Sequence, residues 1–390
     1  MTTRAARRNW QGAGAVALLA ALAVACPGSG GIVAPGKTHT YYVAADEIQW
    51  DYAPDGTNVI TGQPFEGMAK TFVEQTPQRI GKVYWKAVYR EYTDDTFTTL
   101  KPRPAEWQHL GIVGPVLRGQ VGDTIKVVFR NHASRAYGMH PHGVFYNKDS
   151  EGAPSNDGTS GADKADDAVP PGGTHTYTWQ IPERAGPGPN DPSSLVWLYH
   201  SHTTEMLDVN AGMIGAIVVT RRGMAGPDGR PVDVDREFVS LFMIFDENIS
   251  PYLDKNIDAF ATDKKLNRLE DKPVDTEGMF SVIGTGFVEA NFKATINGYL
   301  FGNGPLLTMK KGERVRWYVV TIGEGANFHT PHWHGNVVLD GGHRTDVIAI
   351  SPAQMATVDM VPDDPGIWLY HCHVDDHMDS GMITRYQVLQ

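Results

Sequence analysis

Histidines spaced in pairs constrain this chain more than any other feature of its sequence. Ten of its 15 histidines fall into four short clusters, and one cluster contains a cysteine. In a β-strand, residues i and i+2 point to one face and residue i+1 to the other. Each His-x-His pair on a strand therefore presents two imidazoles to the same side, where they can bind neighbouring metal ions. The clusters lie at residues 140–142, 200–202, 329–334 and 371–377.

Two chemically different ligand sets can be distinguished in these clusters. Two histidines, a thiolate and a thioether form a soft set typical of a blue (type 1) copper site; they are His329, Cys372, His377 and Met382. Four His-x-His pairs form the other set, enough for a cluster of three copper ions; they are His140, His142, His200, His202, His332, His334, His371 and His373. Structural zinc sites also use cysteine and histidine, but they close with four ligands.

The tripeptide His371-Cys372-His373 belongs to both sets. On a strand its two histidines face one way and its cysteine faces the other. The tripeptide therefore joins the sulfur-containing site to the histidine cluster through covalent bonds. We expect these three residues to carry electrons between the two sites. A single His-x-His pair is common without a metal, but four pairs with a cysteine and a methionine at fixed offsets indicate copper.

The chain resembles the multicopper oxidases, and among them the cupredoxin domains of the ceruloplasmin type. The resemblance covers nearly all of the chain after the first 25 residues. Besides the histidine clusters it rests on four motifs, AADEIQWDY (44–52), REYTD (90–94), HLGIVGP (109–115) and FDEN (245–248). It implies four copper ions (one type 1, one type 2 and two type 3) that couple one-electron oxidations of a donor to reduction of O2 to water.

An internal repeat predicts two domains. The repeated segments are 114–117 with 304–307, 140–143 with 332–335, and 197–202 with 368–373. Domain 1 is expected at residues 37–222 and domain 2 at residues 235–390, with a Gly/Pro-rich linker between them. Short alternating runs rich in Thr, Val and Tyr favour strands. The predicted fold class is therefore all-β, with two cupredoxin-like Greek-key β-sandwiches.

The first residues of the chain are typical of an export signal. In residues 1–25, arginines precede an apolar stretch that ends in small residues, the pattern of a signal peptide. Cys26 follows directly, which leaves lipid attachment at that cysteine open. We expect a periplasmic or cell-surface protein, and its net charge of −11 argues against nucleic acid as a partner.

Domain 1 lacks the type 1 ligand set. At the positions that correspond to the cysteine and the two histidines of domain 2 it has Ser201, Tyr137 and Met206. Copper nitrite reductases share the two-domain fold, but they carry the blue copper in the first domain and a single histidine-bound catalytic copper. Nitrite reduction is therefore the weaker alternative. A non-catalytic copper store is another, although it has no use for the covalent path through Cys372.

The reducing substrate is the part of the function that the residues define least. The family's ferroxidase domains hold iron beside the type 1 copper with two glutamates, a histidine and an aspartate. Glu289 and Asp376 match two of these positions. Ala294 and Gly325 replace the other two, although Glu324 lies beside Gly325. This half-matched site favours laccase-type oxidation of phenols, with oxidation of Fe(II), Cu(I) or Mn(II) as the alternative.

The division of the cluster histidines also predicts an assembly. Each domain supplies four of the eight, so the cluster must form between a first and a second domain. By analogy with two-domain laccases, we expect a homotrimer with clusters between subunits. In that trimer His140 and His200 of one chain face His332 and His371 of the next.

Overall fold

Strands dominate the chain in a computed structural model that describes residues 36–263, 286–323 and 328–390. The helices between them are short, so the all-β prediction is confirmed. The predicted signal peptide (1–25), Cys26 and Glu324 lie outside the described residues. In the ranges that the structure describes, no helix is both long and apolar enough to cross a membrane.

The strands of the predicted domain 1 (residues 37–222) form two four-stranded sheets. They are β1 (Thr38–Asp51), β2 (Val83–Tyr92), β3 (Leu117–Gln120), β4 (Thr124–Asn131), β5 (His140–Pro141), β6 (Thr174–Gln180), β7 (Ser194–His200) and β8 (Ile214–Thr220). Their orders are β2-β1-β4-β6 and β3-β8-β7-β5. The pairs β1/β4 and β3/β8 are parallel, because the chain crosses between sheets as in a Greek-key sandwich.

The strands of domain 2 repeat this plan with two additional strands in one sheet. They are β9 (Arg236–Asp246), β10 (Phe292–Ile296), β11 (Leu307–Lys310), β12 (Val315–Val320), β13 (Pro331–Trp333), β14 (Val338–Asp340), β15 (His343–Thr345), β16 (Met355–Met360), β17 (Gly366–Cys372) and β18 (Ile383–Leu389). Their orders are β10-β9-β12-β16-β14-β15 and β11-β18-β17-β13. Sheet β11-β18-β17-β13 is therefore the counterpart of sheet β3-β8-β7-β5 in domain 1.

Short helices occupy the connections between strands. They are α1 (Ala69–Val73), α2 (Glu205–Ala211), α3 (Leu253–Phe260), α4 (Phe287–Ala290) and α5 (Asp375–Asp379). Helices α2 and α5 follow the His-x-His strands β7 and β17, at equivalent places in the two domains.

Apolar cores fill each sandwich and also the boundary between the domains. One core lies between the sheets of domain 1, and a second lies between those of domain 2. A third joins Val196 and Ile214, from β7 and β8, to Leu241 and Val320, from β9 and β12. The sheet of domain 1 that carries the histidines therefore packs its other side against domain 2.

Two buried ion pairs cross the same boundary. Arg118 of domain 1 binds Glu237 of domain 2 through two hydrogen bonds of 3.0 Å. Lys86 of domain 1 is paired with Glu247, and both of these side chains are fully buried. Buried charges are tolerated only when they are paired in this way, so these pairs fix how the two domains meet.

Candidate copper centres

The strand register brings the histidine pairs together within each domain. His140 on β5 lies opposite His200 on β7, and His332 on β13 lies opposite His371 on β17. Directly opposed residues on neighbouring antiparallel strands point to the same face of the sheet. Each domain therefore collects its four cluster histidines at one end of one sheet.

The predicted type 1 ligands of domain 2 converge in its interior. The ligand atoms of His329, Cys372 and His377 all lie within 4.8 Å of one another, and all three residues are buried. The Cys372 Sγ is 3.8 Å from Nδ1 of His329 and 3.6 Å from Nδ1 of His377. Met382 is also buried, and its carbonyl oxygen accepts a hydrogen bond of 3.0 Å from the Cys372 N–H.

The environment of Cys372 favours a thiolate. Burial raises the pKa of the thiol, but hydrogen bonds with His329 and His377 and with the Thr330 N–H outweigh it and lower the pKa to about 6. A thiolate is the form of cysteine that binds metals. The donors present, two imidazoles and a thiolate beside a methionine, fit copper.

The cluster histidines make equivalent contacts in the two domains. In domain 2, Nε2 of His334 lies 2.9 Å from Nε2 of His371. In domain 1, Nε2 of His142 lies 3.1 Å from Nε2 of His200. The remaining histidines complete each group through ring contacts, with centroids 5.2 Å apart for His140–His202 and also for His332–His373.

Backbone carbonyls fix the tautomers of three cluster histidines. Nδ1 of His140 lies 2.7 Å from the Glu151 carbonyl oxygen, and Nδ1 of His371 lies 2.7 Å from that of Cys372. His200 makes the equivalent contact with the next residue in the chain, at 3.1 Å. A carbonyl oxygen only accepts, so each Nδ1 carries the proton and each Nε2 keeps its lone pair for a metal.

Burial keeps most of the cluster histidines neutral, which is the form that binds a metal. It lowers the pKa of His200 to about 3 and that of His142 to about 4. His202 is the exception, because its hydrogen bond with Glu205 raises its pKa. Burial also lowers the pKa of four others, His140, His332, His334 and His371.

Two carboxylates at the rims of the clusters were not predicted from the sequence. Glu205 on α2 lies 3.1 Å from Nε2 of His202. Asp346 lies 3.6 Å from Nε2 of His332. The position of Glu205, three residues after His202 at the start of a helix, could have indicated its contact. Asp346 has no such signal, because β14 and β15 separate it from His332 in the chain.

Domain 1 has hydrogen bonds in place of a second type 1 site. The Ser201 hydroxyl donates to Asp208 at 2.7 Å, and the Tyr137 hydroxyl donates to Tyr252 at 3.1 Å. Met206 is 63% exposed and points away from this interior. These groups offer no thiolate or imidazole nitrogen at the position equivalent to Cys372.

The candidate residues for a metal substrate belong to neither of these ligand sets. Asp376 is exposed on α5, directly before His377, and Glu289 is partly exposed on α4. Ala294 is buried in β10. Among the described residues, Glu289 and Asp376 belong to no group of three metal-binding side chains.

Comparisons with known proteins identify the family. Two family models, both for multicopper oxidases, match residues 108–223 and 272–390. Ferroxidase HEPHL1 of Homo sapiens is 44% identical over 354 residues and ceruloplasmin of Homo sapiens is 38% identical over 359, each alignment covering 90% of this chain. The chain belongs to the multicopper oxidase family. The resemblance inferred from the motifs is therefore confirmed, although this multicopper oxidase spans only 29% and 31% of the lengths of those two relatives.

Solved structures confirm the fold of this multicopper oxidase. A blue copper oxidase from Nitrosomonas europaea is 18% identical with a TM-score of 0.53, and the match covers 90% of this chain and 86% of that one. A copper nitrite reductase from the same organism is 18% identical with a TM-score of 0.55, covering 91% and 95%. The prediction of cupredoxin-like sandwiches is confirmed. Because an oxidase and a nitrite reductase share this fold, the fold does not decide the reaction.

Proposed function

We propose that this multicopper oxidase oxidises a metal cation, with Fe(II) the favoured donor, and reduces O2 to water. The main observation behind the proposal is that the candidate type 1 ligands and the cluster histidines of domain 2 lie next to each other at the end of β17. A relative that is 44% identical is named a ferroxidase, which favours a metal donor over the phenol expected from the sequence.

The residues of the chain have separate roles in this proposal. His329, Cys372, His377 and Met382 would hold the type 1 copper, and the eight paired histidines would hold the other three ions. Bound copper supplies one-electron redox chemistry and the site at which O2 is reduced. Cys372 connects the sets through its peptide bonds and through its carbonyl oxygen, which accepts the hydrogen bond from His371 at 2.7 Å.

Carboxylates near the type 1 ligands support a cationic donor. Asp375, Asp376 and Asp379 are exposed on α5 around the buried His377. Anionic oxygen ligands suit hard cations such as Fe(II) and Mn(II). Asp376 also stands at a position of the family's iron site, and Glu289 stands at another. These two residues are the proposed contacts of the metal donor.

Substitution of either proposed contact tests the donor. Asp376→Asn and Glu289→Gln should each lower kcat/KM for Fe(II) about tenfold, the effect of about 1.4 kcal/mol in transition-state stabilisation. Oxidation of a phenol should change by less than about twofold. Asp379→Asn is the matched control, because it removes an exposed carboxylate from the same helix. Equal losses with both donors would assign Asp376 and Glu289 to support of the copper site or the fold.

A phenol is the second candidate donor, because this chain lacks one ligand of the family's iron site. Ala294 stands where the family's iron site has a histidine, and alanine cannot bind a metal. A cleft of about 410 Å³ between the two domains has apolar side chains on much of its wall, among them Ile244, Phe292 and Ile322, and also Glu205, Asn210 and Asp246. Pockets of this size and character accept small aromatic molecules. Faster oxidation of the phenol than of Fe(II) in the same assay would favour this candidate.

We also propose that three chains assemble with their clusters between subunits. In the described part of the chain, ring contacts join the four histidines within each domain, and none joins the two groups. Each chain thus carries two half-clusters. A contact between unlike surfaces of identical chains ends only when the chains close into a ring.

Comparison of the two repeats supports an interface on domain 2, because domain 2 exposes a surface whose counterpart in domain 1 is buried. Val196 on β7 is 4% exposed, because β7 packs against domain 2, and its N–H donates to Thr357 at 3.3 Å. Its counterpart on β17, Ile367, is 55% exposed. Within one chain, domain 2 packs on β7 of domain 1. If a second chain packed on β17 in the same way, it would cover Ile367. Its own domain 1 half-cluster would then lie against the domain 2 half-cluster of the first chain.

Mixed mutant chains test the shared cluster. Neither His140→Ala/His142→Ala chains nor His332→Ala/His334→Ala chains should reduce O2 alone. After co-refolding they should recover a fraction of the activity, because some interfaces receive two intact halves. Sedimentation should show trimers throughout. A fully active monomer, or mixtures that never regain activity, would contradict the shared-site assembly.

A further inference from the structure

A cleft of about 840 Å³ lies in domain 1, and no predicted copper ligand lines it. Parts of β1 and β2 and the segment 100–116 enclose it. Small-molecule sites in proteins commonly have volumes of about 300–1,000 Å³ and largely apolar walls. Apolar and aromatic side chains form much of the wall here, including Ile48, Trp50, Val88, Trp107 and Leu110.

The charged side chains of this cleft are mostly cationic. Its lining includes the cations Arg90, Lys101, Arg103 and Arg118 and the anions Glu91 and Asp228. This local excess of positive charge contrasts with the net charge of −11 for the whole chain. A ligand in a cleft responds to the local field, which focuses there, so a cation of this lining that has no carboxylate partner would attract an anion.

Three of the four cations already have carboxylate partners. Lys101 is paired with Glu91 at 2.8 Å. Arg118 is paired with Glu237 at 3.0 Å. The partner of Arg90 is Asp46, at 3.6 Å. Asp228 is not free to pair with the fourth cation, because it binds Arg230 at 2.7 Å.

Arg103 differs from the other three cations. Its guanidinium donates to the carbonyl oxygens of Gly111 at 2.9 Å and Val113 at 2.8 Å. Within the described residues, no carboxylate forms an ion pair with it. A guanidinium has five N–H donors, so three of them have no protein acceptor among the described residues. Arg103 is half-buried, and burial lowers its pKa; Arg90 acts in the same direction, while Tyr199 and Tyr299 oppose the shift.

We propose that this cleft binds a small organic carboxylate with an aromatic body. The carboxylate would pair with Arg103, whose planar fork matches two carboxylate oxygens. The aromatic body would pack against Trp50 and Trp107. A neutral ligand would leave the guanidinium unpaired, and an inorganic anion would leave the apolar walls without contacts.

A matched pair of probes tests this site in the copper-loaded, assembled protein. Isothermal titration calorimetry should show that 2-naphthoate binds at least about tenfold more tightly than the neutral 2-naphthalenemethanol, as expected for a charge-assisted hydrogen-bonded pair. Arg103→Gln should weaken naphthoate binding about tenfold and leave the alcohol within about twofold. Lys101→Gln, which removes a cation that already has a partner, should change naphthoate binding by less than about twofold.

Arg103 also donates hydrogen bonds to the carbonyl oxygens of Gly111 and Val113, so its replacement removes local backbone contacts as well as a charge. Arg103→Lys distinguishes these two effects. Lysine keeps the cation but loses the planar fork, so this variant should bind naphthoate more tightly than Arg103→Gln and more weakly than the wild type. The proposal is overturned if the wild type does not bind naphthoate, if the acid and the alcohol bind equally, or if the lysine and glutamine variants lose the same affinity. Equal effects of Arg103→Gln and Lys101→Gln would overturn it as well.

Discussion

Cys372→Ser is expected to abolish the intense visible absorption of the copper-loaded protein and to reduce O2 consumption to background. The absorption of a blue copper site arises from its copper–thiolate bond, and a serine hydroxyl provides no thiolate. His329 and His377 would remain within reach of each other, with ring centroids 5.0 Å apart, but without the soft ligand. Metal analysis should fall from four copper ions per chain to three, because the eight cluster histidines are unchanged.

The internal repeat provides the control for this prediction. Ser201→Ala alters the counterpart of Cys372 in domain 1 and should leave the visible band unchanged, although the hydrogen bond to Asp208 is lost. A wild-type protein that binds its full copper content without a visible band would contradict the type 1 assignment. A Cys372→Ser protein that keeps the band would do the same.

Lys86→Met is expected to lower the free energy of unfolding by about 3–5 kcal/mol, since it leaves a buried charge without its partner. Lys86 lies in domain 1 and Glu247 in domain 2, and both side chains are 0% exposed. Lys86 also donates to the Asn210 carbonyl at 2.6 Å. Burial lowers the pKa of Lys86, while the charge of Glu247 opposes that shift. The stability of the lysine cation therefore depends on its partner across the domain boundary.

Urea denaturation of single and double variants measures this coupling. Lys86→Met/Glu247→Leu should recover most of the lost stability, because an apolar pair of similar volume often replaces a buried ion pair at little cost. Lys255→Met is the control, since the pair of Lys255 with Glu47 is partly exposed, and such pairs contribute up to about 1 kcal/mol. A Lys86→Met protein no less stable than Lys255→Met would show that the buried pair does not hold the domains together.

The convergence of the candidate ligands could be predicted from the sequence, because strand geometry and metal chemistry restrict it strongly; their binding of copper stays a prediction. A His-x-His pair on a strand must place both imidazoles on one face. The structure adds which strands lie side by side, with His332 opposite His371. The substitutions at Ser201 and Tyr137 also followed from aligning the repeats, without knowledge of the fold.

The groups around those ligands were not predictable, because many are backbone atoms. The Glu151 carbonyl that orients His140 belongs to segment 147–168, which its composition marks only as a Gly- and Asp-rich loop. Ion pairs of Asp157 with Lys148 at 2.8 Å and with Lys164 at 3.0 Å hold this loop. Neither the carbonyl contact nor the ion-pair geometry has a signature in the sequence.

The donor was the weakest inference from the residues. Replacement of a family histidine by Ala294 favoured phenols, whereas a relative named a ferroxidase favours metal cations. A substrate site on the surface needs few residues, and a single substitution there does not reveal whether a neighbouring side chain compensates. Glu324, the candidate for such compensation, lies outside the described residues.

Steady-state O2 consumption by the copper-loaded, assembled protein tests the proposed function most directly. Fe(II), Mn(II), Cu(I) and a phenol are supplied in parallel, with the Cys372→Ser protein as the control for uncatalysed oxidation. The account predicts the fastest consumption with Fe(II), at four Fe(II) oxidised for each O2 and without release of hydrogen peroxide. No O2 consumption above the control with any of the four donors would contradict the assignment as an oxidase, and consumption with the phenol alone would contradict the metal donor.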